Sequence, residues 1–189
     1  MDNEILELAK QILNCSEIKN HEIPDINLYM DQVTSFMDSK LKNLKRNEND
    51  IILTKTMINN YTKNKLITPP VKKRYSKENL MMLIFIYHLK QSLSISDIGS
   101  LMNFIVDDAK STNLNELYND FVDIEKNTSA SFIENLTSKI NFIKETTDKN
   151  HDKSEKLFLL VIELILSANI EKRMAEKIID TYFQNDDEK

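Results

Sequence analysis

Apolar positions recur at helical spacing along almost the whole chain. Ile5, Leu6, Leu8, Ala9, Ile12 and Leu13 fall on one side of a helix over residues 3–14, an accessory element ahead of the main body. Pro24 and Asp25 open a second helix over 27–44, with Leu28, Val33, Phe36, Met37, Leu41 and Leu44 as its apolar stripe, and the polar run Arg46-Asn47-Glu48-Asn49-Asp50 ends it. Thr54 offers a hydroxyl to an orphan amide of a short third helix that runs through Asn64, with Met57, Ile58 and Tyr61 facing inward. Thr68-Pro69-Pro70 stops that helix, because neither proline donates a backbone hydrogen bond and each restricts the residue before it. An extended stretch from Val71 to Tyr75 follows.

Ser76 caps the next helix, which is apolar on nearly every side from Leu80 to Leu89 and belongs at the centre of a core. Ser94 with Asp97 three places on forms a capping box for a helix whose inner face holds Ile95, Ile98, Leu101 and Met102. Residues 107–113 read as a linker. Beyond them Leu114, Leu117, Phe121 and Ile124 step by three and four, and Ile133, Leu136, Ile140 and Ile143 resume after Asn127-Thr128-Ser129, which fits one long broken helix or two shorter ones. Leu157 to Ile170 is apolar nearly all round and reads as buried, and Met174, Ala175, Ile178, Ile179, Tyr182 and Phe183 form a final stripe. With one glycine and three prolines in 189 residues, tight hairpins are disfavoured. The expected fold is all-α with minimal or no β structure. Three regions follow: an accessory helix over 1–24, a compact domain over 25–106 and a helical region over 107–189.

Charge sharpens this picture. The formal net charge is −5, but it is unevenly spread: −6 over Met1–Ser39, +8 over Lys40–Ser76 and −7 over Lys77–Lys189. The basic segment contains the short third helix and the stretch after the prolines. Such a concentration of cations in an otherwise acidic chain is a footprint for a polyanion. The competing reading of any lysine-rich stretch is a solvated surface.

Enzymatic chemistry finds little material. His21, His88 and His151 are scattered, none at the spacing of a metal pair, and Gly99 alone cannot build a phosphate-cradling loop. Asp107-Asp108 and Asp186-Asp187-Glu188 lack a third fixed ligand and read as linker and tail. The expectation is a protein that is not an enzyme and carries neither metal nor cofactor. Cys15 cannot close an intramolecular disulfide, and it reads as a small apolar residue of the first helix. Apolar runs shorter than a bilayer span, with no charged leader, place the chain away from membranes and in the cytoplasm.

From Thr54 to Met102 the chain resembles the DNA-binding domain of the MerR group of regulators, and it is similar to an uncharacterised bacterial family with a MerR-like domain. The resemblance rests on Met57-Ile58-Asn59-Asn60-Tyr61, Leu66-Ile67, Pro69-Pro70, Arg74-Tyr75-Ser76, then Leu80, Leu83, Phe85, Ile86, Leu89 and the helix start at Ser94–Ile98. It covers about a quarter of the chain. The group usually carries Arg-Tyr-Tyr where this chain has Asn59-Asn60-Tyr61, a glycine where Lys65 stands, and a longer wing. What the resemblance implies is a winged helix-turn-helix whose short helix enters the major groove of double-stranded DNA, whose wing lies on phosphates, and whose later helix pairs two subunits.

The residues then take roles by their chemistry. Lys55, Lys63, Lys72, Lys73 and Arg74 are candidates for phosphate neutralisation, a contribution blind to sequence and steeply salt-dependent. Asn59 and Asn60 both donate and accept, as reading an adenine edge requires, and Thr56 can add a methyl or hydroxyl contact. Tyr75 is counted with the wing, although rings at such positions commonly bury themselves, as Tyr61 is expected to do. The expected activity is sequence-specific transcription regulation by a homodimer whose effector the sequence does not name. The alternative is a helical adaptor that offers the same basic face to an acidic protein. Without thiolates beyond Cys15, sensing of soft metals is excluded.

Overall fold

The computed structural model describes residues 2–13, 17–107, 113–147 and 151–183. Cys15, Asp108, the greater part of the expected linker and the acidic group Asp186-Asp187-Glu188 lie outside these residues. Seven α-helices and one two-stranded sheet are present among the described residues: α1 (Asp2–Leu13), β1 (Leu28–Tyr29), α2 (Met30–Leu41), α3 (Lys55–Lys63), β2 (Arg74–Tyr75), α4 (Lys77–Leu89), α5 (Ile95–Asp107), α6 (Leu114–Thr146) and α7 (Lys153–Tyr182). The fold is all-α, as the periodicity predicts.

Local chemistry sets several boundaries. The Thr54 hydroxyl accepts from the Met57 amide at 3.0 Å, so α3 starts where its cap was expected. Ser76 and Asn79 exchange hydrogen bonds at the start of α4, and Ser94 and Asp97 do the same before α5. Three expectations are corrected. The helix expected over 27–44 is shorter, because Leu28 and Tyr29 are extended and pair antiparallel with Tyr75 and Arg74, while Lys42–Leu44 tightens into a 3-10 turn. The stretch expected to be extended from Val71 to Tyr75 reverses direction. Val71 and Arg74 exchange two backbone hydrogen bonds of 3.0 Å, and Lys72 and Lys73 between them both have positive φ, the pattern of a two-residue hairpin turn. Asn127-Thr128-Ser129 does not interrupt α6, which is a single helix of 33 residues.

The chain divides into two compact units, Ile18–Val122 with Ala175–Lys189, and Met1–Glu17 with Asp123–Met174. The break falls inside α6 rather than at residue 107. In the larger unit α4 is the centre: every residue from Asn79 to Tyr87 is buried, and Val33, Met37, Ile58, Leu66, Ile67, Ile98 and Met102 belong to the same core. Burying each such aliphatic side chain contributes on the order of 1.5–3 kcal/mol. Asn79, buried among them, has its polar atoms fully used. Its amide nitrogen donates to the Thr68 carbonyl at 2.8 Å and to the Thr68 hydroxyl at 2.7 Å, and its oxygen accepts from the Ser76 amide. This ties the diproline segment to α4. The Tyr118 hydroxyl donates to the Ile18 carbonyl at 2.7 Å and holds the start of the unit in the same way.

The smaller unit joins α1, the greater part of α6 from Asp123 on and α7 as far as Met174 around Ala9, Leu136, Ile140, Ile143 and Leu160. Lys139 pairs with Glu163 at 2.7 Å, Lys153 with Glu4 at 2.8 Å, and Lys144 with Asp2. The expectation that Leu157–Ile170 is buried all round is corrected. Phe158, Val161, Ile162, Ile165, Leu166 and Ile170 are 41–64 % exposed, because the helices packed on α7 cover the face of Leu160 and Leu164 and leave its other side open. No helix among the described residues is long and apolar enough to cross a membrane.

Candidate nucleic-acid interface

The nine residues of α3 sort cleanly by face. Ile58 and Tyr61 are buried, and Met57 and Thr62 are half-buried. Lys55, Thr56, Asn59, Asn60 and Lys63 are all exposed. Steps of three and four along a helix place residues on the same side, so these five candidates share one outward face. The face is polar and, apart from the two lysines, uncharged.

The sheet β1–β2 sorts the wing residues by the same logic with a period of two. Register places Leu28 opposite Tyr75 and Tyr29 opposite Arg74. Leu28 and Tyr75 point into the core, and Tyr29 and Arg74 point out. Tyr75 is 3 % exposed and is therefore withdrawn from the candidate contacts: its ring fills the core. Burial raises its phenol above the ordinary pKa, partly offset by the nearby Thr62 hydroxyl of α3. Ile58 and Tyr61 of α3 and Tyr75 of the wing enter the same core, which brings the wing and the helix together. Lys63 follows Thr62 and Arg74 precedes Tyr75, so both lie beside the junction.

Arg74 is held in place. Its Nη2 donates to the Tyr29 hydroxyl at 2.8 Å, and its guanidinium carbon stands 4.8 Å from the centre of the Tyr29 ring. Tyr29 was not singled out from the sequence, because its partner lies 45 residues away and the apparent helix start at Asn27 concealed the extended pair. Lys72 and Lys73 are exposed at the tip of the turn.

The cations of the basic segment differ in their surroundings. Lys40 pairs with Glu22 and Lys45 with Asp38, each at 2.7 Å, and Lys55 pairs with Asp31 of α2. No carboxylate forms an ion pair with Lys63, Lys65, Lys72, Lys73 or Arg74 among the described residues. Lys42 and Arg46, just beyond α2, form no ion pair among these residues either, so the free positive charge of the segment falls there and in a larger group at the end of α3, in the loop just beyond it and in the wing. Elsewhere, no group of three or more histidine, cysteine, aspartate and glutamate side chains is placed to hold a metal ion among the described residues. His21 and His151 are surface residues, with His151 3.2 Å from Glu155. His88 is packed between aromatic rings, 5.3 Å from Phe121 and 5.6 Å from Tyr87, and burial holds its imidazole below the ordinary pKa.

A family described as Domain of unknown function (DUF1836) matches residues 18–121, more than half of the chain. The chain belongs to that family. Its limits coincide with the continuous stretch Ile18–Val122 of the larger compact unit, so the DUF1836 domain includes α2 to α5, the sheet, the start of α6 and every candidate contact. No curated protein and no solved structure matches the chain.

Proposed function

We propose that the DUF1836 domain of this chain binds double-stranded DNA in the manner of a MerR-like winged helix-turn-helix and that the protein regulates transcription as a homodimer. One observation carries the reading: the exposed face of α3 presents Lys55, Thr56, Asn59, Asn60 and Lys63 beside a turn that presents Lys72, Lys73 and Arg74, in a protein of net charge −5. At 1.5 Å per residue, α3 is about 13 Å long. A major groove about 12 Å wide admits such a helix.

The roles divide by chemistry. Lys63, Lys72, Lys73 and Arg74 neutralise phosphates, while Asn59 and Asn60 read base edges through paired donor and acceptor atoms. The Tyr29–Arg74 contact supports the reading, since a guanidinium fixed before binding loses less freedom on contact with a phosphate. The exposed apolar side of α7 supports pairing of two copies, which a dyad site requires. Catalysis has no place in this reading.

Selection of bound fragments from a random duplex pool tests it. The expected result is enrichment of a short motif repeated on a dyad, rich in adenine where Asn59 and Asn60 dock. Absence of any retained duplex at low salt, together with capture of an acidic polypeptide on the same face, replaces the DNA reading with the adaptor.

A further inference from the structure

Three residues in the larger unit hold a backbone conformation that suits glycine, and all three are lysines: Lys65 at φ 59°, Lys72 at φ 51° and Lys73 at φ 63°. No other described residue outside glycine has positive φ. The reason for the conformation is local in each case. Lys65 terminates α3, where the Lys65 amide donates to the Thr62 carbonyl at 3.1 Å and the Leu66 amide reaches back to the Tyr61 carbonyl at 2.9 Å, a closure that requires a left-handed residue between them. Lys72 and Lys73 are the two central residues of the wing turn, for which Asn-Gly is the favoured pair.

The left-handed region crowds Cβ against the following carbonyl, so an ordinary side chain is disfavoured there; glycine removes the crowding, and asparagine offsets it by hydrogen-bonding locally. All three lysines are exposed, so no packing contact of a buried stem compensates for it. None has a carboxylate ion-pair partner among the described residues. A strained residue whose side chain lies in solvent points to a role for that side chain outside the molecule.

We infer that Lys65, not among the candidate contacts read from the sequence, acts with Lys72 and Lys73 as a phosphate-contacting set, held at left-handed positions at the expense of fold stability. This rests on the DNA reading and deepens it. The three lie just beyond the end of α3 and at the wing tip, on segments anchored by Tyr61 and Tyr75 in the same core. A duplex docked on α3 therefore meets Lys65 on one segment and the Lys72-Lys73 tip on the other.

Stability and binding must then move in opposite directions. Thermal unfolding and fluorescence anisotropy with the full chain and a mixed-sequence duplex measure both. Lys65→Asn and the double change Lys72→Asn with Lys73→Gly are expected to raise Tm by about 2–4 °C each, the shift that a small relief of strain gives a chain of this size. The same variants are expected to bind duplex more weakly, with the salt dependence shallower by about 0.9 in log K per log salt for each lysine lost. Lys65→Arg with Lys72→Arg and Lys73→Arg keeps charge and crowding together, and is expected to retain both affinity and the lower Tm. If the wild-type chain binds no duplex at roughly 50 mM salt, the DNA reading itself falls and this inference with it. If the wild type binds and the asparagine and glycine variants bind equally well, this inference alone is overturned. A fall in Tm for those variants also overturns it.

Discussion

Asp31 and His88 are two residues whose surroundings make opposite demands on charge. Asp31 stands on α2 and pairs with Lys55, both side chains well exposed, so the pair adds little to stability in solvent. Its carboxylate is nevertheless the acidic group placed against a lysine of the candidate face. Asp31→Asn is expected to leave Tm within about 1–2 °C of the wild type, as for a surface pair worth a few tenths of a kcal/mol. It should also tighten duplex binding severalfold at low salt, a gain that fades once screening shortens the Debye length. Anisotropy at two salt concentrations reads both.

His88 concerns the fold alone. Packed against Phe121 and Tyr87, its imidazole is held below the ordinary value of 6.5 by burial, so the neutral ring is the folded form. The unfolded chain then binds more protons than the folded one once the pH drops below that value, and stability rises with pH across the interval. The full contribution is present above 6.5 and is lost as the pH falls from there towards the lowered folded pKa. Urea denaturation from about pH 7.5 to about pH 5 should show a loss of stability that is smaller in His88→Phe, because His is the side chain that ordinarily titrates there. Equal slopes in both proteins would remove His88 as the cause.

At the scale of elements, the sequence was most legible where a local rule operates. Thr54, Ser76 and Ser94 announced the starts of α3, α4 and α5 because a cap is a contact between residues three apart. Thr54→Ala should therefore cost about 1 kcal/mol, seen as a lower urea midpoint, and should weaken duplex binding through fraying of α3. The sheet was not legible, since β1 and β2 are two residues each and meet through a pairing between Leu28 and Tyr75 that no local period reveals. The wing turn was concealed for a different reason: Lys-Lys carries none of the glycine or asparagine that marks such a turn. As to the site, the five outward residues of α3 followed from helical spacing and the buried Ile58 and Tyr61, whereas Tyr75, counted with the wing contacts although such rings commonly bury themselves, fills the core. Tyr29 escaped notice because its significance lies in a distant contact, and Lys65, noted only as standing where the resembled group carries glycine, takes its significance from a φ angle.

For the whole molecule, the match of the DUF1836 family to residues 18–121 and the extent of the larger unit agree on where the functional domain lies. The smaller unit has a different character. Its α7 leaves Phe158, Val161, Ile162, Ile165, Leu166 and Ile170 in solvent, at steps of three, four and one that keep them on one broad side. An exposed apolar stripe of this extent marks an interaction surface. Placed antiparallel on a second copy with 158 opposite 170 and 162 opposite 166, the stripe is self-complementary, as a two-fold interface must be, and Glu155 falls opposite Arg173. Sedimentation of the full chain at micromolar concentration is expected to give twice the mass of 22.1 kDa. Ile162→Glu with Leu166→Glu should give that mass once, with helical content unchanged. A monomeric wild type would remove the dimer from the proposal.

The central claim is that the free cations at the end of α3 and in the wing form a docking surface for a duplex. Fluorescence anisotropy of the wild type and of Lys73→Glu with Arg74→Glu, titrated onto labelled duplex across a salt series, tests it most directly. The expected result is wild-type binding whose log K falls by about 4 or more per log unit of salt, as five phosphate contacts would give, and no measurable binding by the double variant. Absence of wild-type binding at the lowest salt, or a double variant that binds as well as the wild type, would contradict it.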